Sequence, residues 1–226
     1  MTSSRDSRSK IRPVIVEFVG AAAVGKTFLA ERLRDELCRK GMAVRCVDSI
    51  RSTRGLKGLV VLAESAYLAA LTRPASFSRY LESTKRIVRY MRRRKSCEGI
   101  AGFHLESEGI FQKVRALSRR SRSLGMIQIA DLLFKYLAPP DVVVIVQASP
   151  ATIFARRTAR GRPNDEFTPD SVRDDALLTA ETFQTVTHVQ RQRTGRLHVI
   201  EVDLEETGAD SVAGRLADSL TGMFDA

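Results

Sequence analysis

The chain has 226 residues, 43% hydrophobic and 28% charged, with a formal net charge of +11. That is enough for one packed domain, or one domain with a helical insert, and no apolar run reaches the ~18–20 residues that span a bilayer. Three scattered cysteines with no Cys-x-x-Cys pair exclude a disulfide framework and a zinc site and suit a cytoplasmic protein with reduced thiols.

Residues 1–10 (MTSSRDSRSK) are polar, lack the apolar core of a secretory signal, and read as a disordered tail ahead of a single domain over 11–226. Val14–Val19 is a short β-branched run ending at a glycine, the pattern of a buried parallel strand. From Lys26 to Lys40 the period becomes helical, with Leu29, Leu33 and Leu37 on one face and Gly41 at the stop. Residues 43–47 give a second strand closing at Asp48.

Residues 59–72 and 76–95 read as two helices within a helical insert over about 51–98. Residues 51–100 carry twelve Lys/Arg against three acids. The plain reading of that bias is a solvated basic face, and the sharper one is a patch for a polyanion. A strand is expected near 100–105, a helix over 110–118 and another over 126–137, stopped by Pro139-Pro140. Residues 141–146 form the clearest strand, and Pro150 then opens a helix to Arg160. A helix over 170–193, a strand over 197–202 and a helix over 211–223 complete the chain. Strands alternating with helices predict an α/β fold of three layers, with about five parallel strands covered on both faces. In such sheets ligands bind beyond the carboxyl ends of the strands. The segments after the strands, with Asp48, Glu106, Glu108 and Gln147, should therefore gather at one rim.

Gly20-Ala21-Ala22-Ala23-Val24-Gly25-Lys26-Thr27 fits Gly-x-x-x-x-Gly-Lys-[Ser/Thr], between a strand and a helix as the pattern requires. A triphosphate needs a nest of bare backbone N–H donors, and glycines keep it open. The helix that begins at Lys26 points its positive dipole end at the anion. Lys26 would reach the β- and γ-phosphates of ATP, and the Thr27 hydroxyl would be a Mg²⁺ ligand. The base-reading Asn-Lys-x-Asp segment of GTPases is absent, and so is the Leu-Ser-Gly-Gly-Gln signature of transport ATPases.

A second cationic stretch, Arg156-Arg157-Thr-Ala-Arg160-Gly161-Arg162-Pro163, follows the strand at 141–146 and Pro150. Arg156 and Arg160 are four apart and share a helix face, and guanidinium forks bind phosphate bidentately. The phosphate loop and this strand-Pro-helix-Arg unit together resemble thymidylate kinase and its relatives among nucleoside and nucleotide kinases. The resemblance implies the three-layer P-loop fold, a lid over about 156–168 with Arg156 and Arg160 as lid arginines, and transfer of the ATP γ-phosphoryl group to a small acceptor. In place of that family's Asp-Arg pair after the third strand, this chain has Glu106-Ser107-Glu108-Gly109-Ile110-Phe111-Gln112. Similar Glu-Gly-x-x-Gln segments occur in thymidylate-kinase-like proteins of unassigned substrate, so the acceptor is expected to differ from thymidylate.

Transfer to a hydroxyl benefits from a carboxylate that accepts its proton. Glu108 is the candidate base, Glu106 a candidate acid beside Mg²⁺, and Asp48 and Gln112 candidates for the acceptor site. Two other functions fit the same motif. One is a polynucleotide or nucleic-acid-associated kinase using the basic 51–100 region, the less favoured because aromatics are sparse there. The other is a regulatory nucleotide-binding ATPase. The sequence leaves the oligomeric state open, a dimer among the options.

Overall fold

The computed structural model describes residues 13–47, 77–97, 99–119, 121, 124–161, 168–195, 197–205 and 208–224. Among them are five strands and seven helices in the order β1 (Pro13–Val19), α1 (Lys26–Arg39), β2 (Val44–Cys46), α2 (Phe77–Lys95), β3 (Gly102–Glu106), α3 (Ile110–Ser118), α4 (Met126–Phe134), β4 (Val142–Gln147), α5 (Pro150–Arg160), α6 (Pro169–Thr194), β5 (His198–Asp203) and α7 (Ala209–Phe224). The expected helix over 59–72, Asp48, and residues 162–167 of the lid lie outside the described residues.

All strand pairs are parallel, in the order β2-β3-β1-β4-β5, so the strand that leads into the glycine loop is central. Side chains alternate across it. Val14, Val16 and Phe18 face a core with Leu29, Leu33 and Leu37 of α1 and Val212, Leu216 and Leu220 of α7. Val19 faces the second core, with Ile110 and Val114 of α3, Ile129 and Leu133 of α4, Val186 of α6, and Ile87 and Tyr90 of α2. The sheet is thus the middle of three layers, as the alternation of elements predicts.

The boundaries follow local chemistry. Helix α5 runs from Pro150 to Arg160 because Ser149 caps it by accepting the Thr152 N–H, proline fits its first turn, and Gly161 closes it in the left-handed conformation. Helix α4 stops at Phe134, short of the expected 137. Lys135 and Tyr136 turn back onto Leu132 and Leu133 at 3.2 and 3.0 Å as the chain approaches Pro139-Pro140. Strand β3 begins at Gly102, because Ile100 is held in a turn by its N–H bond to the Cys97 carbonyl at 3.1 Å. No helix among the described residues is long and apolar enough to cross a membrane.

Candidate phosphate-binding site

Strand β1 delivers the chain into a tight loop against β4. A Cβ on Gly20 would stand 2.5 Å from the Val146 carbonyl oxygen, so only glycine passes there. Ala23 takes a left-handed backbone, φ 69°, which L-residues adopt at a cost of roughly 1–2 kcal/mol. Helix α1 then starts at Gly25 with no side-chain cap and no acid in its first turn. Its positive end is therefore uncompensated by the N-cap, the arrangement that receives an anion.

Lys26 is 8% exposed, and its Nζ donates to the carbonyls of Gly20 and Ala21, each at 2.8 Å. Burial lowers its pKa to about 8. Glu108 opposes that shift, while Arg115, Arg160 and Arg157 add to it. The lysine therefore sits in a field of three guanidiniums and one carboxylate. The Thr27 hydroxyl lies 3.5 Å from that of Ser107, just after β3.

Helix α5 covers the loop. Arg156 Nη1 donates to the Val24 carbonyl at 2.7 Å, and Arg157 Nε donates to the Ala22 carbonyl at 3.2 Å. Arg157 also pairs with Asp175 of α6. Arg115 of α3 meets the same carboxylate and donates to the Thr179 hydroxyl at 3.1 Å. Burial first, then the charges of Arg119 and Arg157, push the Arg115 pKa down to about 10, which still leaves it charged at neutral pH. Asp175 in turn accepts the Ala22 N–H at 3.4 Å.

Beneath the loop, Glu17 and Glu106 occupy matched positions on β1 and β3 and point to the same face, both fully buried. Two adjacent carboxylates in an apolar layer need a counter-charge. Arg94 of α2 supplies it by pairing with Glu106, and Tyr90 donates to Glu106 Oε2 at 2.7 Å. Glu17 accepts the N–H groups of Ile110 at 3.0 Å and Phe111 at 2.8 Å, and so caps α3 from the core. Burial, then Glu106, still push the Glu17 carboxyl well above the usual range. Burial and Glu106 likewise raise the Tyr90 phenol. Burial works against the Arg94 guanidinium, yet Glu106 and Tyr90 keep its pKa raised. A cavity of about 700 Å³ lies at the other end of the strands, lined by Pro13, His104, Asp141, His198 and Phe224 among others. It shares no residue with the loop.

No family model matches the chain, and none of the curated proteins is matched by its sequence. Solved structures do match. The deoxyadenosine kinase from M. mycoides, with its products dCMP and a flexible dCDP bound, is similar with a TM-score of 0.53 at 14% identity, covering 93% of this chain and 100% of its own. The YorR protein of Bacillus subtilis, in complex with phosphorylated GDP, is similar with a TM-score of 0.53 at 11% identity, covering 94% of this chain and 99% of its own. The chain shares its fold with both of these structures. At these identities the likeness is one of fold, and the site must be read from this chain's own residues.

Within this fold the structure brings Gly20 through Thr27, Glu108 and Arg156 to one rim. Arg160 is exposed, near enough for its charge to act on Lys26. The Glu108 side chain is 65% exposed and meets Lys113 at 3.5 Å. Gln112 is half-buried on the first turns of α3. Glu106, expected as an acid beside a metal, instead spends its carboxylate on Arg94 and Tyr90 under the loop. Among the described residues no three His, Cys, Asp or Glu side chains cluster as a metal site. The Thr27–Ser107 hydroxyl pair does fit Mg²⁺, a hard cation that takes few protein oxygens and fills its shell with phosphate and water.

Sequence reasoning passed over Arg115, Arg157 as distinct from its neighbours, Asp175, Arg94 and Glu17. Glu17 carried a signal, a lone acid inside an apolar strand. Arg115 did too, three residues after Gln112 and so on its face of the helix. Asp175 had none.

Proposed function

We propose that the chain is a Mg²⁺-dependent phosphotransferase that moves the γ-phosphoryl group of ATP to a small nucleoside or nucleotide, in the manner of thymidylate kinase-like enzymes. The observation that carries this reading is the uncapped start of α1 behind the Gly20–Thr27 loop, with Lys26, Arg156 and Arg157 converging on that loop. The acceptor class comes from the two similar structures, whose bound molecules are nucleotides.

In this mechanism the loop amides and the end of α1 hold the polyphosphate. Lys26 leaves its two carbonyl partners for phosphate oxygens. Arg156, Arg157 and Arg160 neutralise charge that grows on the transferring group. Thr27, beside Ser107, would hold Mg²⁺, which supplies charge neutralisation between phosphates. Glu108, exposed at the rim, orients the acceptor and, where that acceptor is a nucleoside, takes the proton of its attacking hydroxyl.

The test follows γ-labelled Mg-ATP with a panel of nucleosides and nucleoside monophosphates. Lys26→Ala is expected to lower transfer at least about a hundredfold, the usual loss for one positioned charge-stabilising group. Transfer unchanged in Lys26→Ala would remove the loop from the chemistry.

A further inference from the structure

This inference rests on the phosphate-loop reading and concerns the carboxylate that α6 sets against the loop. Asp175, on the second turn of α6, is 12% exposed and lies 153 residues from the loop amide it binds. It meets three donors from three different elements: the Ala22 N–H of the loop at 3.4 Å, the Arg157 guanidinium of α5 and the Arg115 guanidinium of α3. Two guanidiniums and a loop amide around one oxyanion is a set of donors suited to a phosphate group.

Each of those arginines has an anchor besides the carboxylate. Arg157 has its own anchor on the Ala22 carbonyl at 3.2 Å, and Arg115 has one on the Thr179 hydroxyl at 3.1 Å. Asp175 adds two things to this set. It uses the loop amide, and it cancels one of the two positive charges. Both act against an incoming anion.

We propose that Asp175 is a built-in anion that competes with polyphosphate for Ala22, Arg115 and Arg157. On binding, the two guanidiniums and the amide turn from the carboxylate to the phosphate oxygens, and Asp175 swings out. Its presence lowers affinity and spares the buried arginines an unpaired state between turnovers.

The experiment is calorimetric binding of inorganic tripolyphosphate to the full chain and to Asp175→Asn, which keeps the shape and removes the charge. The variant is expected to bind at least about tenfold more tightly, since a unit charge in contact with the site is removed. Equal affinity would leave the phosphate loop standing and sink the proposal. Weaker binding would make Asp175 a residue that positions the arginines, and would sink it as well. Failure of both proteins to bind would overturn the phosphate-loop reading, and this proposal with it. Should Asp175→Asn not fold, the carboxyl carbon of Asp175 is followed by NMR in the wild-type chain. A shift on saturation with tripolyphosphate supports displacement, and an unmoved signal refutes it.

Discussion

Gly109→Ala tests whether the buried carboxylate of Glu17 organises the rim. The glycine lies between Glu108 and α3, and a Cβ there would fall onto the Glu17 carboxyl group. Glu17 is fully buried and cannot retreat into solvent. Either it gives up the N–H groups of Ile110 and Phe111, or α3 shifts and its buried Ile110, Phe111, Val114 and Leu117 repack. Hydrogen bonds to a charged group contribute about 1.5–3 kcal/mol each and neutral ones about 1. Losing two therefore costs roughly 2–6 kcal/mol. The backbone at φ −83° tolerates alanine, so a smaller unfolded-state entropy returns about 0.4–1 kcal/mol. The net expectation is a loss of about 3 kcal/mol, read as a lowered midpoint in urea at unchanged slope. A double-mutant cycle with Glu17→Ala isolates the contact, because the added methyl should cost little once the carboxylate is gone. A loss below about 0.5 kcal/mol in the wild-type background, within the range of neutral surface changes, would refute the account of the Glu17 cap.

Two further outcomes are expected. Ala23→Gly removes a left-handed backbone from an L-residue, and thermal or urea unfolding should show a gain of about 1 kcal/mol; no gain would mean the loop is not strained at that residue. Tripolyphosphate binding, measured with chelator and no metal, should weaken about tenfold from pH 7 to pH 9. The Lys26 pKa near 8 in the unliganded chain sets the window: the charged amine binds phosphate, so affinity is full below that pH and is lost as pH rises through it. Lys26→Arg, which does not titrate there, should flatten the profile.

The legible parts of this protein are those written in contiguous sequence. The loop Gly20–Thr27 is one motif between a strand and a helix. The ends of α5 carry Ser, Pro and Gly at the positions that set them. Strands β1 and β4 show as β-branched runs because both of their faces are covered, whereas β3 (GFHLE) carries no β-branched residue. The illegible parts depend on register and on distant chain segments. Nothing local says that Glu17 and Glu106 become neighbours, since that follows from β1 pairing with β3. Nothing local says that Glu106, placed well for a metal acid, is claimed by Arg94 from a helix ahead of it. Arg156 and Arg160 stood out as an i,i+4 pair, yet Arg157, between them, is the most buried of the three and meets both the loop and Asp175.

Two of the helices that start at this rim, α1 and α3, lack a side-chain cap, and their contrast argues for where an anion goes. Both α1 and α3 begin at a glycine without a side-chain cap, and neither has an acid in its first turn. Each would be an equal attractor by dipole alone. The core settles the difference: Glu17 reaches up from β1 and satisfies the first amides of α3. Ahead of α1 the carboxylate of Asp175 meets the loop at Ala22, several residues before the helix, with two arginines attached to it. One helix end is closed by a buried acid that a polar ligand cannot displace. The other is guarded by a rim-side acid that can swing away, and only that end offers a polyphosphate a site it can win.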